Sequence, residues 1–101
     1  MKFRRFGPLK NINKTNLNKL SDSPGVYGIF DASGKIQKVG RAKQNRPSER
    51  IAESAEEIRD ANSHASKFSF IPTKTVEEAK KLETKLIELR KPPFNIEEKG
   101  K

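Results

Sequence analysis

Residues 25 to 40 hold two short apolar runs joined by a turn, the strongest local structure signal in the chain. Gly25-Val26-Tyr27-Gly28-Ile29-Phe30 is β-branched and aromatic with alternating faces, the pattern of a strand. Asp31-Ala32-Ser33-Gly34 supplies turn chemistry, with Gly34 suited to positive φ. Lys35-Ile36-Gln37-Lys38-Val39-Gly40 is the returning strand, so the segment predicts a β-hairpin. Only 32% of the 101 residues are hydrophobic and 35% are charged. The chain therefore builds one domain around a small core.

The remaining elements follow from periodicity and punctuation. Residues 1 to 23 form a basic, Asn-rich lead with Leu9, Ile12, Leu17 and Leu20 as apolar marks and a short helical turn near Thr15 to Leu20. Phe3 and Phe6 leave two readings open for the lead, a segment packed on the domain or a flexible arm. Pro47 suits a first helical turn. Ile51, Ala55 and Ile58 then predict a helix over 47 to 62, whose other faces carry Glu53, Glu56, Glu57 and Asp60. Lys67 to Ile71 alternates as a third strand. Thr75-x-x-Glu78 is a capping box opening a second helix, which Pro92-Pro93 stops. Phe94-Asn95-Ile96 predicts a short extended segment, and 97 to 101 a loose tail. The expected fold is α+β: a three-stranded antiparallel sheet in β-β-α-β-α order, with helices covering one face. The expected organisation is a lead over 1–23, a domain over 24–96 and a tail over 97–101.

Charge narrows the function. Lys and Arg number 22 against 13 Asp and Glu, a net +9. That balance suits a polyanion, and nucleic acid is the most abundant polyanion of the cytosol. It also suits a basic protein with no such partner. The absence of Cys removes disulfides, thiol catalysis and cysteine-ligated zinc, and a single His removes a His-rich metal site. No apolar run reaches the roughly 20 residues of a membrane span, and no signal-peptide core follows the basic N-terminus. The expected location is the cytoplasm, with no membrane contact and no obligate protein partner.

Glu83 is the most informative single residue. At 100° per residue it falls between Ala79 and Ile87 on the apolar stripe of the second helix, whereas Glu77, Glu78 and Glu88 can face solvent. A carboxylate placed there needs a partner, either a basic side chain or a metal ion. Tyr27, the only tyrosine, lies on a strand opposite the one carrying Lys38. It is either a packing residue or a functional one. Tyr27 and Lys38 share a face only if the hairpin pairs with an odd residue sum, such as Phe30 opposite Lys35. An even sum puts Tyr27 opposite Val39 and turns Lys38 away. The shared face is expected. Arg41, Lys43, Arg46 and Arg50 follow as a basic cluster after the hairpin.

Together these residues resemble the GIY-YIG nucleases. In that family a strand reading G-[IV]-Y is followed about ten residues later by Y-[IV]-G. An Arg on the next helix, a Glu on a later helix and P-x-[FY]-N come after. The matching residues are Gly25-Val26-Tyr27, Val39-Gly40, Arg50, Glu83 and Pro92-x-Phe94-Asn95, spanning Pro24 to Asn95. Two departures stand out. Lys38 occupies the place of the second motif's tyrosine. The helix Arg comes about two residues late, which makes Arg50 the match and Arg46 its rival. The position one turn after the Arg, often His or Tyr in the family, is Ser54. With its length, the chain resembles the small free-standing members.

The resemblance implies a metal-dependent endonuclease hydrolysing DNA phosphodiester bonds, with RNA left open as a substrate. It implies one Mg²⁺ (or Mn²⁺) held by Glu83, the sole protein carboxylate on the ion. Arg50 would bind the scissile phosphate, and Asn95 would orient water or a phosphate oxygen. Tyr27 would act as base or water-orienter, supported by Lys38 and Arg41. Arg41, Lys43, Arg46 and Arg50 would bind the nucleic acid. The alternatives are a catalytically silent nucleic-acid-binding module of the same fold, and a small RNA-binding protein in which Glu83 is merely ion-paired.

Overall fold

The computed structural model describes residues 5–42, 47–61 and 63–95. Chain order is β1 (Lys10–Asn11), α1 (Lys14–Leu17), β2 (Gly25–Phe30), β3 (Ile36–Ala42), α2 (Pro47–Asp60), β4 (Lys67–Pro72) and α3 (Val76–Arg90). Four strands thus replace the expected three, and they form one antiparallel sheet in the order β1-β4-β2-β3. The additional strand is two polar residues of the lead, Lys10 opposite Phe68 and Asn11 opposite Lys67. Backbone pairing alone defines it, so no hydrophobic period announces it.

The helices cover both faces of the sheet, not one. Strand β2 explains this, because all six of its residues are buried. Val26 and Phe30 pack with Ile36, Val39 and Ile71 under Ala79, Leu82 and Leu86 of α3. Tyr27 and Ile29 pack with Ala42 and Phe68 under Ile51, Ala55 and Ile58 of α2. The lead joins both sides. Phe6 and Leu9 lie on the α3 core; Ile12, Leu17 and Leu20 lie on the α2 core. Phe6 meets Phe30 edge-on at 5.6 Å between ring centroids. Phe3 lies outside the described residues, as do Ile96 and the 97–101 tail. Residues 93 to 95 form a helical turn rather than the expected extended segment, with Asn95 N–H donating to Pro92 O at 3.1 Å.

The hairpin turn runs longer than the sequence suggests. Asp31 Oδ1 accepts hydrogen bonds from Ser33 N–H (3.0 Å), Ser33 Oγ (2.7 Å) and Lys35 N–H (2.9 Å), and Gly34 takes φ +90°. These bonds, the Ser33 hydroxyl first and the Lys35 amide next, hold the Asp31 carboxyl below its ordinary pKa. Their contribution is complete above the ordinary carboxylate range and fades as pH falls through the lowered value. Lys35 belongs to the turn, so Phe30 pairs with Ile36 instead of Lys35. That pair sums to an even number and would turn Lys38 away from Tyr27. A bulge corrects it: Ile29 pairs with Lys38, and Gln37 is the extra residue. From there Tyr27 faces Gly40, and Tyr27 and Lys38 share the α2 side.

Helix ends are set locally. Thr75 caps α3, its hydroxyl accepting from Glu78 N–H at 3.0 Å. Lys91 ends the helix in the left-handed region (φ 45°), where the following Pro92 disfavours continued right-handed helix. Gly40 is required by contact rather than by φ. A Cβ there would run into the Tyr27 ring and hydroxyl, which lie across the β3 backbone. Gly40→Ala is expected to lower stability by about 1–3 kcal/mol, the usual cost of overpacking a closed site. Urea unfolding measures it, and a wild-type midpoint would mean that the ring does not lie there.

Candidate active site at the edge of strand β3

Strand β3 is an edge of the sheet, so its flanking side chains and its outer backbone can meet in one place. A cavity of about 190 Å³ opens there. Its walls include Tyr27, Lys38, Arg41, Arg50, Glu83 and Asn95, with the backbone around Val39 and Gly40 between them. These are the six residues expected to take part in chemistry, gathered from five separate segments. Lys43 and Arg46 lie outside the described residues.

The two sides of β3 contribute different groups. On the α2 side, the buried Tyr27 hydroxyl and Ser54 Oγ share a hydrogen bond of 2.5 Å. Lys38 Nζ lies 3.3 Å from Glu57 Oε2, with the lysine side chain 12% exposed. Arg50 projects from the first turns of α2, 53% exposed, with Nη1 3.3 Å from Glu53 Oε1. On the α3 side, Arg41 Nη1 lies 3.5 Å from Glu83 Oε1. Glu83 is 22% exposed and Arg41 32%, so the carboxylate sits on the rim of the buried stripe and not within it. Ala79, Leu82 and Leu86 form the buried stripe. Glu83 thus has a basic partner and an open side facing the cavity.

Asn95 closes the edge. Val39 N–H donates to Asn95 Oδ1 at 2.7 Å, and Asn95 Nδ2 donates to Val39 O at 2.8 Å. The amide therefore pairs with the outer backbone of β3 as a neighbouring strand would. Each of its polar atoms makes one bond to Val39, and the amide, which has a second N–H and a second oxygen lone pair, also lines the cavity. Sequence patterns contain no mark of an asparagine pairing with a strand edge. Ser54 and Glu57 are the other residues whose contacts were unforeseen. The place of Ser54 one turn after Arg50, and the acidic faces of α2 opposite a basic strand, were the available signals.

The arrangement presents three cations, one rim carboxylate and a buried phenol to one solvent-open space. Exposed ion pairs are worth about 0–1 kcal/mol. Arg50 can therefore leave Glu53 for a phosphate, to which its planar fork donates two bonds. For a metal, the donor set is sparse: among the described residues no three His, Asp or Glu side chains cluster. One carboxylate fits a Mg²⁺-type ion, which keeps waters and takes substrate oxygens, and does not fit a closed protein cage.

A family model described as the UvrC-like GIY-YIG domain matches residues 23–96. Three similar curated proteins are each called UvrABC system protein C. That of Acetivibrio thermocellus is 38% identical over 85 residues, covering 79% of this chain and 14% of the relative. That of Hydrogenovibrio crunogenus is 39% identical over 84 residues, with 79% and 14% covered. That of Geobacter metallireducens is 36% identical over 91 residues, with 85% and 15% covered. The chain spans about one-seventh of the length of these relatives.

The geometry sets an order of stabilities. Glu83→Gln removes half of a partly exposed pair, worth at most about 1 kcal/mol. Asn95→Ala strips two backbone groups of their partner at a buried position, at about 1–3 kcal/mol each. Thermal melts in EDTA should show the larger fall for Asn95→Ala. The reverse order would mean that the Arg41–Glu83 pair carries structural weight that its exposure does not suggest.

Proposed function

Since the chain belongs to the UvrC-like GIY-YIG domain family, we propose that it is a metal-dependent endonuclease hydrolysing phosphodiester bonds of DNA. The observation that carries this reading is the cavity at the β3 edge, where the cations, the carboxylate and the phenol converge. Glu83, paired with Arg41 at 3.5 Å on the cavity wall, would hold one Mg²⁺ or Mn²⁺. When bound, the ion supplies charge stabilisation at the scissile phosphate and its leaving oxygen.

The chain's own residues do the rest. Arg50 binds the non-bridging phosphate oxygens through its fork. Tyr27 orients the attacking water or takes its proton, its hydroxyl held in place by Ser54. Lys38 stands in the place of the tyrosine of the family's second motif. Held by Glu57 at 3.3 Å, it contributes positive charge beside Tyr27. Asn95 is a positioning residue: by pairing with Val39 it fixes the backbone between Lys38 and Arg41. The net charge of +9 supports a polyanionic substrate held by ionic contacts.

Supercoiled plasmid tests the reading. The protein should nick it with Mg²⁺ or Mn²⁺ and not with EDTA. Glu83→Gln should lower nicking at least about a hundredfold, the scale of losing a central transition-state group, without the melting loss of Asn95→Ala. Retarded migration without nicking under any metal would instead favour a silent binding module.

A further inference from the structure

The cations around the β3 edge are paired with glutamates, but those of the lead are different. Lys10 and Lys19 are exposed, and among the described residues neither has an acidic partner. Both line a second cavity of about 170 Å³. It lies at the β1–β4 edge of the sheet, opposite the edge where the candidate active site opens. Leu20, Phe68 and the half-buried Phe70 give it apolar walls. Asn16 stands at the same cavity, its Nδ2 donating to Asn11 O at 2.9 Å. An amide and two lysines around an aromatic wall suit a planar ring that carries polar edges and a flanking negative charge.

We propose that this cavity captures an unpaired nucleobase of a single-stranded nucleic-acid segment, with Lys10 and Lys19 on the adjoining phosphates. Size permits it, since an apolar cavity of about 150 Å³ admits a benzene ring. Single strands are favoured over duplex because only an unstacked base offers a face to Phe70. The two lysines add ionic contacts that duplex and single strand share. The lead is thereby a second contact for the polymer, across the sheet from the site of cleavage. The proposal rests on nucleic acid being the protein's polymer, and it is independent of whether the chain cuts it.

Fluorescence anisotropy of a labelled 12-residue oligonucleotide, in EDTA and low salt, tests it without requiring activity. Three probes are compared: the intact single strand, the same strand with abasic sites, and its duplex. A ribose version distinguishes RNA from DNA. The wild type should bind the intact strand about tenfold tighter than the abasic one, the scale of one base stacked on an aromatic. Phe70→Leu should erase that difference. Lys10→Glu combined with Lys19→Glu, at exposed positions that carry no packing, should weaken the intact strand at least about tenfold. Equal affinity for intact and abasic strands would overturn the proposal, as would wild-type binding by the double-lysine variant. If Phe70→Leu does not fold, the abasic probe and the lysine variant decide. Base-dependent binding without plasmid nicking would uphold this site and defeat the endonuclease reading; nicking without base dependence would do the opposite.

Discussion

Gln37 is the extra residue in the hairpin ladder, and the site is built on it. Before the bulge, Phe30 pairs with Ile36; after it, Ile29 pairs with Lys38. A side-chain period of two makes a single-residue slip equivalent to turning the strand over. Without the bulge, Lys38 would face α3 and Val39 would lie opposite Tyr27. With it, Val39 fills the α3 core, Gly40 receives the Tyr27 ring and Arg41 meets Glu83. The bulge thus sets in a single step which β3 side chains meet the α2 side and which meet the α3 side.

The free edge of β3 is the second dependency. A strand edge exposes unpaired N–H and C=O groups, which usually invite another chain. Here Asn95 fills that place at Val39, delivered by the Lys91 turn, the buried Pro92 and one helical turn. Because β3 is an edge, groups from the α2 and α3 sides can converge around it. An inner strand would have kept Lys38 and Glu83 on opposite sides of a closed sheet. The glutamate partners temper the repulsion among clustered cations, and the exposed Arg50–Glu53 pair is a weak one.

Local signals in the sequence carried much of this. The hairpin runs, the α2 period of Ile51, Ala55 and Ile58, the Thr75 cap and the Pro92 stop depend on neighbours a few residues away. Glu83 stood out because a carboxylate interrupts an apolar stripe. It is also where helical geometry overstated burial: a wheel gives direction, while depth depends on the neighbouring strand. Strand β1 carries no sequence signal, because its two polar residues pair only through their backbone. Alternation in β2 suggests one covered face, whereas both of its faces are apolar and buried.

The sequence by itself determined which segments become strands and helices, where they end, and which residue types are available for chemistry. Those outcomes depend on propensities and caps that act within one or two turns of chain. Only the tertiary structure decided the bulge register, the pairing of Asn95 with an edge strand, and the partners of Tyr27, Lys38 and Glu83. Each joins residues distant along the chain, and Val39 and Asn95 are separated by 56 positions. No local preference fixes such a contact, which forms because packing both faces of β2 leaves β3 at the rim.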